Sequence, residues 1–292
     1  MTARHAAAVG CLLAVACVTG AACADGLRPS DPMSYVPRTA IAAGRADVKR
    51  IGGDASYGSF MPSSVGQSLA ELGIPMTSVE FVVTFSDSLS GPDAAILSGP
   101  GLGSAWRTAA RGDRWVSRAG VMSAALTADI VGIGTAAQVD ALSATRRWSG
   151  GFTSRTEFKE IAEIFDRRDP MTAAVIWPSS VGDAANAFTA VAAGGLGMAG
   201  FGSLGGIVKQ LGVGRAIAFG CLRQGSIMRV DAGVLMSSES TASIVAGGLS
   251  IAKGLGALVG KPPSGADIGQ MDVQRRGAFL RVGLSVPINE WR

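Results

Sequence analysis

The chain has 292 residues, 48% of them hydrophobic and only 16% charged, with 41 glycines and a formal net charge of +4. That length suits one large or two small domains with a substantial core. Charge this sparse and a positive mean hydropathy exclude a disordered chain, and the lack of a Gly-X-Y period excludes collagen.

Residues 1–24 read as a secretory signal. Arg4 and His5 form a short basic start, Ala6 to Ala22 is uncharged and apolar, and Ala22-Cys23-Ala24 is a small-x-small cleavage site before Asp25. No twin arginine precedes the apolar run, which favours the general secretory route. The run is short for an uncleaved membrane anchor. Lipidation of Cys23 would want a large aliphatic residue where Gly20 stands. Cleavage removes His5 together with Cys11, Cys17 and Cys23, so the exported chain has no histidine and keeps Cys221 alone. The sequence around it, Ala216 to Leu222, predicts burial of that thiol. Without histidine, a Ser-His-Asp triad, a Cys-His pair and the usual zinc sites cannot be built. Carboxylate pairs, lysine-activated serines and oxygen-ligand cations remain, and no catalytic residue, metal or small-molecule cofactor is assigned.

Residues 25–60 carry prolines at 29, 32 and 37 and no clear period, and read as an extended arm or linker. Residues 61–292 read as a single mixed α/β domain, with points of subdivision near 150–154 and 170. Within it, Pro62 to Leu72 predicts a helix capped by Ser63 or Ser64, and Val79 to Phe85 a strand. Residues 104–147 look largely helical, broken at Val131-Gly132-Ile133-Gly134. Thr153 to Phe165 has a capping box in Ser154 and Glu157 and apolar Phe158, Ile161, Ala162 and Phe165 at helical spacing. Val175 to Trp177, Arg215 to Leu222, Ile227 to Met236 and Phe279 to Val286 are strand-like, and Thr241 to Val259 is a Gly/Ala-rich helix. The expected fold class is α+β: mixed helices and short strands in one compact domain, with Gly/Ala-rich close-packing helices, preceded by the N-terminal arm.

Two constellations point to contact rather than turnover. In Gly248, Ala252, Gly256 and Gly260 small residues repeat every four positions, and Gly195, Ala199 and Ser203 repeat the spacing. On a helix such residues form a groove that admits another backbone. Ala184 to Val208 is uncharged and long enough to cross a bilayer, although glycine and alanine supply little transfer energy. Arg107, Arg111, Arg114 and Arg118, spaced i, i+4, i+7, i+11 beside Trp106 and Trp115, would align four guanidinium groups on one helical face. That surface suits an acidic protein partner, anionic lipid or a glycan acid. An export signal and a small net charge disfavour nucleic acid.

Other matches carry no function. Gly195 to Gly200 and Gly200 to Gly205 spell G-x-G-x-x-G, but no acid lies between Asp183 and Asp231 to hold a ribose. Ser250 and Lys253 spell S-x-x-K without the downstream motifs of penicillin-binding enzymes. Glu157, Glu160 and Glu163, mixed with Lys159, Asp166, Arg167 and Arg168, read as an ion-paired solvent face.

The expectation is therefore an exported, bacterial-type envelope protein: a non-enzymatic structural or assembly component of a periplasmic or outer-membrane machine of the secretion or conjugation type, with envelope protein partners. One alternative is a membrane-inserting or pore-forming protein using 184–208 and 241–260. A second is an exported carboxylate or Ser-Lys hydrolase.

Overall fold

The computed structural model describes residues 32–51, 63–87, 94–145, 151–162, 169–176, 214–259 and 271–287. Their strands, in chain order, are β1 (Ala42–Asp47), β2 (Phe81–Ser86), β3 (Ala94–Ser98), β4 (Arg114–Val116), β5 (Met122–Ala125), β6 (Ile130–Gly134), β7 (Met171–Ile176), β8 (Gly214–Gln224), β9 (Ile227–Met236), β10 (Asp272–Arg276) and β11 (Phe279–Pro287). All join one sheet in the order β10-β11-β9-β8-β7-β1-β2-β3-β6-β5-β4, and every pairing is antiparallel. The helices are α1 (Val48–Ile51), α2 (Ser63–Glu71), α3 (Leu102–Ala110), α4 (Ala136–Thr145), α5 (Thr156–Ile161) and α6 (Glu239–Val259).

This architecture corrects the expected fold class. The organising element is an eleven-stranded antiparallel sheet, not a compact set of helices and short strands. The expected arm contributes β1, which lies in the middle of the sheet between β7 and β2. Ala42-Ala43-Gly44-Arg45-Ala46-Asp47 has none of the β-branched or aromatic residues that mark strands, so its pairing comes from its neighbours and not from propensity. The helical reading of 104–147 holds only for α3 and α4; β4 and β5 lie between them, and β6 occupies the expected break at 131–134. Alanine favours helix locally, but Met122 to Ala125 finds ladder partners in β4 and β6. The helix expected over 153–165 begins later, at Thr156, with Arg155 at its N-cap and no side-chain cap bond.

Where propensity and pairing agree, the expectations hold: β8, β9 and β11 fall on the strand-like runs at 215–222, 227–236 and 279–286, whereas β10 lies outside any expected strand. β8 and β9 form a long hairpin whose two-residue loop starts at Gly225 with φ 63°, and β10–β11 repeat the device at Gly277 with φ 58°. A glycine with positive φ at the first loop position lets so short a turn match the twist of the strands.

Side chains alternate across the sheet, so the two faces carry separate cores. One face presents Ala43, Phe85, Ile96, Ala174 and Ala218 to Phe152, Phe158 and Ile161 of the α5 region. The opposite face splits into two patches. Val82, Leu97, Val131 and Met171 pack with Leu69 of α2 and Leu102 and Trp106 of α3. Ala42, Val175, Ile217, Val234 and Leu280 receive Ala242 and Val245 of α6.

Candidate functional site

The arginine–tryptophan run does not form one helical face. α3 stops at Ala110, and Arg111 closes it in the left-handed conformation with φ 55°, its N–H donating to the carbonyls of Arg107 and Thr108. Arg114 and Trp115 lie in the edge strand β4, and Arg118 lies in the turn before β5. Trp106 is fully buried in the core and meets Trp115 edge-on, with ring centroids 6.3 Å apart at 82°. The tryptophan that looked like a contact residue is thus a packing residue. Arg107 pairs with Asp113 at 3.0 Å and donates to the Ala125 carbonyl; Arg114 pairs with Asp140 at 2.5 Å. The backbone N–H of Arg118 donates to Glu71, and the side chains of Arg111 and Arg118 are exposed.

The small-residue groove lies partly outside the described residues: Gly195, Ala199, Ser203 and Gly260 fall there, as does most of 184–208 with its bilayer-length stretch. Gly248, Ala252 and Gly256 lie on α6. This helix is 21 residues long; among its described side chains Ala242 and Val245 pack on the sheet, with Ala246 and Leu249 half-buried beside them. Ile244 and Ile251, one heptad apart, point away from these residues and are 62% and 66% exposed. A Cβ added at Gly247, Gly248 or Gly254 would meet no atom within 4 Å. Among the described residues, then, the glycine surface has no neighbour in the chain. Sequence reading found the glycines through their spacing but passed over the two isoleucines, because in an apolar helix nothing local says which turn faces solvent.

The chemically capable side chains are mostly committed elsewhere. The Ser250 hydroxyl donates to the Ala246 carbonyl of its own helix at 2.8 Å, and Cys221 is buried on β8. Asp231 is held by Arg229 and Arg281, and Asp129 accepts the Gly101 N–H. Among the described residues no group of three or more His, Cys, Asp or Glu side chains is placed to hold a metal ion. None of the described helices is long and apolar enough to cross a membrane.

No protein-family model matches the chain, and no curated protein matches it in sequence. Among solved structures, three crystal forms of TP0453 align with 89% of this chain and 94–95% of their own. Forms I, III and IV do so at 7%, 9% and 10% identity, with TM-scores of 0.48, 0.49 and 0.47.

Proposed function

We propose that the protein is an exported envelope component that works by binding: a structural or assembly part of a periplasmic or outer-membrane machine, of the secretion or conjugation type, joined to a protein partner through the outer face of α6. The observation that carries this reading is the face of Ile244, Gly247, Gly248 and Ile251, which meets no partner among the described residues, on a helix whose described side chains reach the sheet along one edge. Exposed isoleucines supply apolar area, and the glycines between them let another backbone approach closely. The exposed Arg111 and Arg118 are a secondary polar contact surface on the same proposal.

The test is site-specific photo-crosslinking in the producing cell, with the probe at Ile244 or Ile251 and a control probe at the exposed hairpin residue Arg223. The reading expects one envelope protein in the adducts of both α6 probes and not of the control. That adduct should be lost in Ile244→Asp, and the protein should leave washed membranes in alkaline carbonate. Adducts to lipid with carbonate-resistant membrane residence would instead support the membrane-inserting alternative. Absence of any adduct would remove α6 as the docking face.

A further inference from the structure

On the opposite face of the sheet from α6, at the end where β1 begins and β7 ends, a cavity of ≈ 610 Å³ opens to solvent, lined by Arg38, Thr39, Ile41, Arg155, Thr156, Glu157 and Arg215. Three separate elements bring its charged groups together. Arg38 lies in a turn closed by the Ala40 N–H donating to Pro37 at 3.0 Å. Arg155 caps α5, and its Nη1 donates to the Ala40 carbonyl at 3.0 Å, tying α5 to that turn. Arg215 is the extra residue of a β-bulge: Gly214 pairs with Met236 and Ala216 with Leu235. A bulge bends the strand and re-aims a side chain that a regular ladder would place elsewhere.

Among the described residues the lining is out of charge balance: three guanidinium groups face one carboxylate, Glu157. Its ion pairs with Arg155 and Arg215 span 3.9 and 3.7 Å, longer than hydrogen bonds, so it does not take up their N–H donors. Burial lowers the Arg155 pKa from its ordinary value; Glu157 opposes that shift, and the like charge of Arg38 adds to it. Arginine stays protonated regardless, so the repulsion between Arg38 and Arg155 persists unless an anion enters.

We propose that this cavity binds the phosphate group of a small organic phosphate ester or of a lipid headgroup, gripped by Arg38, Arg155 and Arg215. A phosphate monoester carries about −1.5 to −2 charges at neutral pH and offers three acceptor oxygens, matching two uncompensated positive charges and three planar forks. The volume exceeds what a bare phosphate needs and suits a ligand with an organic portion. Glu157 sets the strength of the site by competing for the same guanidinium groups.

Calorimetric titration of the full protein with glycerol 3-phosphate, inorganic phosphate, and phosphatidylcholine vesicles with and without phosphatidic acid tests this. The expected result is saturable binding that Arg38→Gln and Arg215→Gln each weaken roughly tenfold and Glu157→Gln strengthens. Arg38 is exposed and the Arg215 side chain is half exposed, so both variants should retain the wild-type melting temperature. Binding of glycerol 3-phosphate in free solution assigns the group to a solute. Binding of phosphatidic acid vesicles alone, lost in the same variants, assigns it to a lipid. No binding of any probe, binding that both arginine variants leave unchanged, or a loss in Glu157→Gln would overturn the proposal. None of these outcomes touches the α6 reading, because the cavity lies across the sheet from that helix.

Discussion

Arg281 on β11 reaches across the ladder to Asp231 on β9, donating to Oδ1 from Nη2 at 2.8 Å and from Nε at 3.1 Å. Arg229, two residues along β9, takes the other oxygen from Nε at 3.0 Å. The carboxylate is nearly buried, whereas the two arginines keep part of their surface in water. Their partial exposure screens each pair, so neither arginine alone is worth much. Losing both leaves a buried charge with no counterion, which costs about 3–5 kcal/mol. Arg281→Ala and Arg229→Ala should each lower stability by roughly 1 kcal/mol in urea unfolding, and the double variant by more than their sum. Simple additivity would show that the two arginines do not share the carboxylate.

That triad also marks the limit of what the sequence disclosed. No spacing in the sequence marks the partners of Asp231, because both depend on register: Arg229 faces it by strand alternation, and Arg281 is fifty positions away. The hairpin strands β8 and β9, the C-terminal strand β11, and the helices α2 and α6 were legible from apolar runs and turn residues. β1 and β5 were not, because their alanines and glycine fit helix, loop or strand equally and only cross-strand partners decide. The phosphate-type cavity was invisible for a related reason. Arg38, Arg155 and Arg215 have no common spacing and meet only because β1, α5 and the bulged end of β8 converge. The arginine run at 107–118 shows the converse error, since a regular spacing there spans a helix, a cap and a strand.

Arg111 separates the structural from the surface role of that run. Its φ of 55° is costly for a residue with a Cβ, and glycine adopts it freely. Arg111→Gly should therefore raise the melting temperature, by up to about 1 kcal/mol of stability. If the exposed guanidinium also contacts the partner, the same variant should lose crosslinking yield while gaining stability. A destabilised Arg111→Gly would mean that the side chain holds the end of α3.

The α6 face makes a contrast between adjacent residues. Ile244→Gln and Ile251→Gln, at exposed positions, should shift stability by less than about 0.5 kcal/mol. Val245→Ala empties a site in the core patch and should cost about 1–2 kcal/mol in the same urea experiment. Equal losses at Ile244 and Val245 would show that the outer face is covered in the free protein, and would remove the basis for docking there.

Glycines sharpen that contrast, because their positions differ in what a methyl group would meet. At Gly103 an added Cβ would lie 2.1 Å from the Thr127 carbonyl oxygen, where α3 crosses the backbone before β6. Gly103→Ala must push two backbones apart and should lose about 1–3 kcal/mol or more. At Gly247 and Gly248 the same methyl meets nothing, so only helix propensity acts, and each alanine should add about 0.5–1 kcal/mol. Thermal unfolding of the three variants checks the signs. The docking proposal then demands an opposite response in the cell: Gly248→Ala, more stable in isolation, should weaken the crosslink at Ile244, because the methyl group occupies the space the partner backbone needs. A variant both more stable and equally well crosslinked would show that the glycines are not the contact surface.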